Sequence, residues 1–111
     1  IGAFEVGESW TTGVDWIPKF HTAIWKKTAT TTDWHTDSNW STGKVPTADV
    51  NVLIPKDALN YPTITGSDAT CNNLIIYQSA NMTLKSSYTL TISGFFKNMG
   101  TATISGDVII E

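Results

Sequence analysis

From Val50 onward the apolar residues fall at every second position in short bursts: Val50, Val52 and Ile54; Leu74 and Ile76; Met82 and Leu84; Leu90 and Ile92; Ile104; Val108 and Ile110. A period of two belongs to a pleated strand with one face turned inward. Polar or glycine-bearing breaks such as Gln78-Ser79-Ala80-Asn81, Lys85-Ser86-Ser87 and Ser105-Gly106-Asp107 separate the bursts, as turns separate short strands. The stretch nearest to helical spacing, Val14 to Trp25, carries Pro18 in its middle, where a helix would lose a hydrogen bond and meet a steric clash. It reads as extended or irregular, with room for one short helical turn. The fold class expected is therefore all-β.

The spacing also bears on how the strands assemble. Asn73-Leu-Ile-Ile and Thr89-Leu-Thr-Ile superpose at a shift of 16 residues, which sets Leu74 on Leu90 and Ile76 on Ile92, and Asp107-Val-Ile-Ile begins a third copy roughly 18 residues after Thr89. A unit of this size cannot bury its apolar face alone, so neighbouring units must stack to share a core. Stacking of that kind points to a β-solenoid. The alternative is a β-sandwich, in which successive strands pair as antiparallel hairpins.

Composition narrows the function classes. The 111 residues suffice for one domain or part of one. Ten acidic against seven basic residues give a net charge of −3, and Lys26-Lys27 is the largest basic cluster. A nucleic-acid binder needs a concentrated basic face, and an anionic membrane surface needs a polybasic stretch, so neither partner is expected. No apolar run approaches the length of a membrane span. The single cysteine, Cys71, cannot close an internal disulfide. The chain opens on Ile1 and breaks off in a strand beginning at Asp107, so the reading expects a segment of a longer polypeptide that continues past Glu111.

All five tryptophans, Trp10, Trp16, Trp25, Trp34 and Trp40, lie in the first 40 residues. Two of them stand in a run of Thr, Ser, Asp and Asn that has the composition of a loop. The order of features is Trp25, Asp33-Trp34, Asn39-Trp40-Ser41, Gly43, Val45-Pro46-Thr47, Val50-Asn-Val-Leu-Ile-Pro55, Tyr61-Pro62-Thr-Ile64, Asn73-Leu-Ile-Ile76, Leu90-Thr-Ile-Ser-Gly94 and Asn98-Met-Gly100. In this order and spacing the stretch from Trp25 to Gly106 resembles a repeat-bearing segment of large secreted and cell-surface proteins of Bacteroidetes-type bacteria, many of them cargo of the type IX secretion system. Residues 1–24 are read as a linker or the tail of a preceding domain and 25–111 as the β-solenoid segment; Ile1 to Ala23 match nothing in that family. Asp49 stands alone before Val50 where the family often pairs two acids.

The resemblance implies a parallel β-solenoid whose mouth is closed by the tryptophan-bearing loop. The terminal rung of a solenoid exposes an apolar cross-section and unpaired strand edges, which a cap must cover. Trp25, Trp34 and Trp40 would anchor such a cap, with Asp33 and Asn39 satisfying loop backbone groups. Gly43 and Pro46 would set the entry into the first strand. The rival use of tryptophan in a Thr- and Asn-rich β protein is a sugar-stacking platform, for which Trp10, Trp16 and Trp40 are the candidates.

Other chemistry finds less footing. His21 and His35 lack metal-ligand spacing. Asp33, Asp37 and Asp49 offer oxygens but no Asp-x-Asp-x-Asp-Gly loop. No catalytic pair of carboxylates commends itself, and Cys71, in Asp68-Ala-Thr-Cys-Asn-Asn-Leu74, reads as a buried inert thiol. No catalytic residue, metal or cofactor is assigned. The sequence reading is a non-enzymatic structural or adhesin module at the bacterial cell surface. Its partners would be the remainder of the same polypeptide, the type IX machinery in transit and a surface polysaccharide. The alternative is a carbohydrate-binding module of a secreted polysaccharide-degrading enzyme.

Overall fold

The computed structural model describes residues 21–111. Ten short strands carry the architecture: β1 (Thr22–Ile24), β2 (Asn51–Ile54), β3 (Thr63–Ile64), β4 (Ala69–Cys71), β5 (Leu74–Ile76), β6 (Asn81–Leu84), β7 (Thr89–Ile92), β8 (Phe96–Asn98), β9 (Thr101–Ile104) and β10 (Asp107–Ile110). They form three small sheets, ordered β1-β2-β5-β8, β3-β6-β9 and β4-β7-β10. From β2 to β10 the chain visits these sheets in strict rotation, so within that run no two strands adjacent in sequence pair.

Every pairing between these strands is parallel. Parallel neighbours need a crossover, whereas a hairpin joins antiparallel ones; the hairpin-paired sandwich is therefore not the arrangement adopted. The registers also correct the superposition of Leu74 on Leu90. Leu74 lies beside Val52 and Phe96, each a full circuit of the three sheets away, while Leu90 lies beside Ala69 and Val108 in another sheet. Leu74-x-Ile76 and Leu90-x-Ile92 look alike because both fill the same kind of inward position, on different sides of the core. The step from Thr89 to Asp107, by contrast, is a true register. β3, β6 and β9 also keep a constant step, with Thr63 beside Thr83 and Asn81 beside Thr101.

In-register parallel pairing stacks like on like. Val52, Ile54, Leu74 and Ile76 from one sheet, Ile64, Met82 and Leu84 from the second, and Cys71, Leu90 and Ile92 from the third are all essentially sealed from solvent and join one core. The alternate residues point outward: Thr63, Thr83 and Thr103 form one such row, Thr70 and Thr91 another. β-branched residues suit this half-covered pleat. Ile104, Val108 and Ile110 continue the inward columns of Leu84, Leu90 and Ile92 but lie on β9 and β10, where Ile104 and Ile110 are exposed.

Side chains also bind one level to the next. Asn51 Oδ1 accepts the Asn73 backbone N–H at 3.3 Å and Asn72 Nδ2 at 2.9 Å, and Asn73 Oδ1 accepts the Phe95 N–H at 2.9 Å. Positions 51, 73 and 95 thus share one corner on successive levels. Asp68 Oδ1 does the same for the Thr89 N–H at 2.9 Å. The turns pack with equal economy of space: a Cβ added at Gly100 would run into the carbonyl oxygens of Tyr77 and Ala80. Within the stretch read as a linker or tail, β1 pairs with β2 and Ala23 is buried, so its last residues are part of the packed unit.

Three stability measurements follow. Leu74→Ala should cost about 2–5 kcal/mol in denaturant unfolding, as for other fully buried leucines, whereas Thr91→Ala on the outer row should stay within about 0.5 kcal/mol of the parent. Gly100→Ala should also destabilise measurably, because the obstruction it meets is backbone and cannot rotate away.

Candidate functional site

The tryptophan-bearing segment between β1 and β2 spreads across one end of the three sheets. β1 extends the first sheet beyond β2. Asp33 bridges to Thr63 and so extends the second sheet beyond β3, with Trp34 N–H donating to Thr63 O at 3.2 Å and Thr63 N–H to Thr32 O at 2.6 Å. His35 Nε2 donates to Ser67 O at 2.9 Å, just ahead of β4 in the third sheet. A loop of low regular structure is thereby tied to all three sheets.

What holds its interior is a set of three indoles. Trp25, Trp34 and Trp40 are each 0% exposed. Trp40 sits edge-on between the other two, with ring centroids 5.2 Å from Trp25 and 4.8 Å from Trp34 and interplanar angles of 83° and 75°. Edge-to-face contact places the positive rim of one ring on the negative face of the next. Burial contributes roughly 2–3 kcal/mol per ring through the apolar area removed from water. Trp25 Nε1 donates to Asn60 O and Trp40 Nε1 to Trp34 O, both at 2.8 Å. Trp34 Nε1 has no hydrogen-bond partner among the described residues.

The polar residues around the indoles are occupied with the loop's own backbone. Asn39, only 3% exposed, donates through Nδ2 to Thr31 Oγ1 at 2.9 Å and to Asp33 O at 3.0 Å. It closes a short 3-10 turn, Asp37–Asn39, and its carbonyl accepts the Lys26 N–H. Asp33 accepts the His35 N–H through Oδ1 at 3.0 Å and the Thr36 hydroxyl through Oδ2 at 2.8 Å. Asp37 Oδ1 takes the Val45 N–H at 2.9 Å. Ser41 pairs with Ile24 both ways: its N–H donates to Ile24 O and its Oγ accepts the Ile24 N–H, each at 2.9 Å. These are uses that short polar side chains have in turns. Gly43, at φ +73°, ends the turn after Trp40 in a conformation that favours glycine.

The sugar-stacking candidates fare differently. Trp40 offers no free face: its ring is enclosed by its neighbours and by the core, so a pyranose cannot lie on it in the folded state. Trp10 and Trp16 lie outside the described residues. Asn39-Trp40-Ser41 satisfies an N-glycosylation sequon, but the Asn39 amide is buried and spent. Among the described residues no three His, Cys, Asp or Glu side chains gather as a metal-binding group. Sequence reasoning missed Asn60, which accepts from the Trp25 indole and donates to Ala29 O at 2.8 Å; nothing in its local sequence marks it. It missed the Asn51–Asn73 corner too, although an Asn standing immediately before both Val52 and Leu74 was the available signal.

Cys71 is fully buried, and desolvation of its thiolate pushes the thiol pKa up to about 12. The neutral form is thus favoured in the folded state.

The molecule is, then, an all-β domain of parallel strands in three sheets, with an indole-pinned loop across one end. It belongs to a domain family of unknown function, DUF8693, whose model matches residues 24–108. The matched span takes in the loop and all three sheets together. No curated protein and no solved structure matches the chain.

Three outcomes are expected. Trp40→Phe should destabilise the fold by about 1 kcal/mol more than Trp34→Phe in parallel unfolding titrations, because it alone forfeits an indole hydrogen bond and leaves the Trp34 carbonyl without its donor. Asn39→Ala should cost about 1–3 kcal/mol, since two part-buried hydrogen bonds, to Thr31 Oγ1 and Asp33 O, are lost together. The Cys71 thiol should resist alkylating reagents until the protein unfolds. Its raised folded-state pKa also makes its contribution to stability complete below the ordinary thiol range and lost as the pH climbs from about 9 towards about 12.

Proposed function

We propose that this domain is a non-enzymatic structural module, a parallel β-solenoid closed at one end by the Trp25–Val50 loop, within a larger secreted or cell-surface bacterial protein. The observation that carries the reading is the strict rotation of β2 to β10 through three parallel sheets, with inward side chains stacked in register from one circuit to the next. Such a coil puts its backbone hydrogen bonds along one axis, so that a pull along that axis loads whole ladders together. The loop, tied to each of the sheets and weighted by three buried indoles, then serves as the cap that such a coil needs.

The non-enzymatic reading draws support from how the reactive groups are employed. The carboxylates of Asp33, Asp37 and Asp68 each accept backbone N–H groups, and the Cys71 thiol is sealed in the core. A stalk or adhesin setting, and passage through the type IX machinery, rest on the residue pattern from Trp25 to Gly106 and on its likeness to bacterial surface proteins. The carbohydrate-module alternative loses Trp40 as a platform. Among the described residues no helix is long and apolar enough to cross a membrane.

Single-molecule stretching tests the proposal. With handles at the two ends, the coil should yield in successive steps, each releasing one level of about 20 residues, or roughly 70 Å of extended chain. Featureless extension at forces that barely perturb the handles would refute a load-bearing role.

A further inference from the structure

Beside the capping loop lies a cleft of ≈ 350 Å³, at the lower end of the range for small-ligand sites. Val45 and Val50 give it an apolar wall, and Thr42, Lys44, Thr47 and His21 bring polar groups to it. Its walls are held in place by hydrogen bonds. Asp37 Oδ1 fixes the Val45 N–H at 2.9 Å, the Thr42 hydroxyl donates to Lys44 O at 3.1 Å, and the Gly43 N–H donates to Trp40 O at 2.9 Å. On the other side the Val50 N–H donates to Thr47 O at 3.0 Å and the Asn51 N–H to His21 O at 2.8 Å. A ligand would therefore meet a preformed surface and would not have to order it.

Among the described residues the lining carries one ammonium, one imidazole and two hydroxyls, of which that of Thr42 already donates to Lys44 O, and no carboxylate. Asp37 Oδ1 accepts the Val45 N–H beside the cleft. In a chain of net charge −3, the described lining sets one ammonium and hydrogen-bond donors next to aliphatic side chains. A matching ligand needs a carboxylate, hydroxyls and a flat C–H face, within the volume of a single ring. We propose that the cleft binds one carboxylated pyranose, a uronate ring, with its carboxylate on Lys44 and its C–H face on Val45 and Val50. The site is separate from the buried indoles and stands or falls independently of the structural role proposed above.

The test is an amide-resolved NMR titration of the whole chain with D-glucuronate, glucose and acetate in parallel. Glucuronate should produce saturable shifts confined to residues around Thr42–Val50. Glucose and acetate, each lacking half of the recognised chemistry, should not saturate over the same range. Lys44→Gln, at an exposed position whose exchange should leave the remaining spectrum intact, should weaken glucuronate binding about tenfold. Absence of a saturable shift, an equal response to glucose or acetate, or unchanged affinity in Lys44→Gln would each overturn the assignment.

Discussion

In-register parallel pairing is the constraint from which the rest of the structure follows. Once Val52 is set beside Leu74 and Leu74 beside Phe96, inward side chains of successive levels fall into columns, which are apolar where they are buried and reach a polar residue only at exposed Asn98 beyond Ile76. None of the strands has more than four residues, too few to bury anything by itself. Their stability is collective, each level completing the apolar surroundings of the next. The corner asparagines add direction to this dependence: Asn51 serves the Asn73 amide and Asn73 serves that of Phe95, so each level supplies a hydrogen bond to the one that follows.

A stack of this kind has ends, and at the β1 end the chain answers with tryptophan. A loop rich in Thr, Ser, Asp and Asn cannot hold itself in place by regular hydrogen bonding, because its polar side chains compete for the same backbone groups. Three indoles in edge-to-face contact solve the difficulty by concentrating apolar area in few residues and few rotatable bonds. The polar side chains are then free to satisfy the backbone locally, as Asp33, Asn39 and Ser41 do. Sealing Trp40 to do this withdraws it from any surface role, so the same residue cannot be both anchor and sugar platform.

The loop that closes the stack also shapes the surface beside it. The hydrogen bonds from Thr42 to Lys44 O and from the Val45 N–H to Asp37 lie on the path from Trp40 back to β2, and Thr42, Lys44 and Val45 line the cleft beside them. Structural duty and the proposed binding can therefore share one segment while using different side chains: the indoles inside, and Lys44 with its aliphatic neighbours outside.

The alternation from Val50 to Ile110 was enough to read strands, their inward faces and an all-β class, because pleat periodicity is a local property written residue by residue. The crowding of Asp33, Trp34, Asn39 and Trp40 into a polar run likewise marked a loop that needed anchoring. Which strand lies beside which was not local. Leu74-x-Ile76 and Leu90-x-Ile92 carry nearly the same letters, and only the lengths of the intervening turns, summed over a full circuit of three sheets, decide that the first belongs with Val52 and the second with Ala69. The partner of the Trp25 indole, 35 residues away at Asn60, was settled in the same way, since a side chain can choose its acceptor only after the backbone has brought the two together.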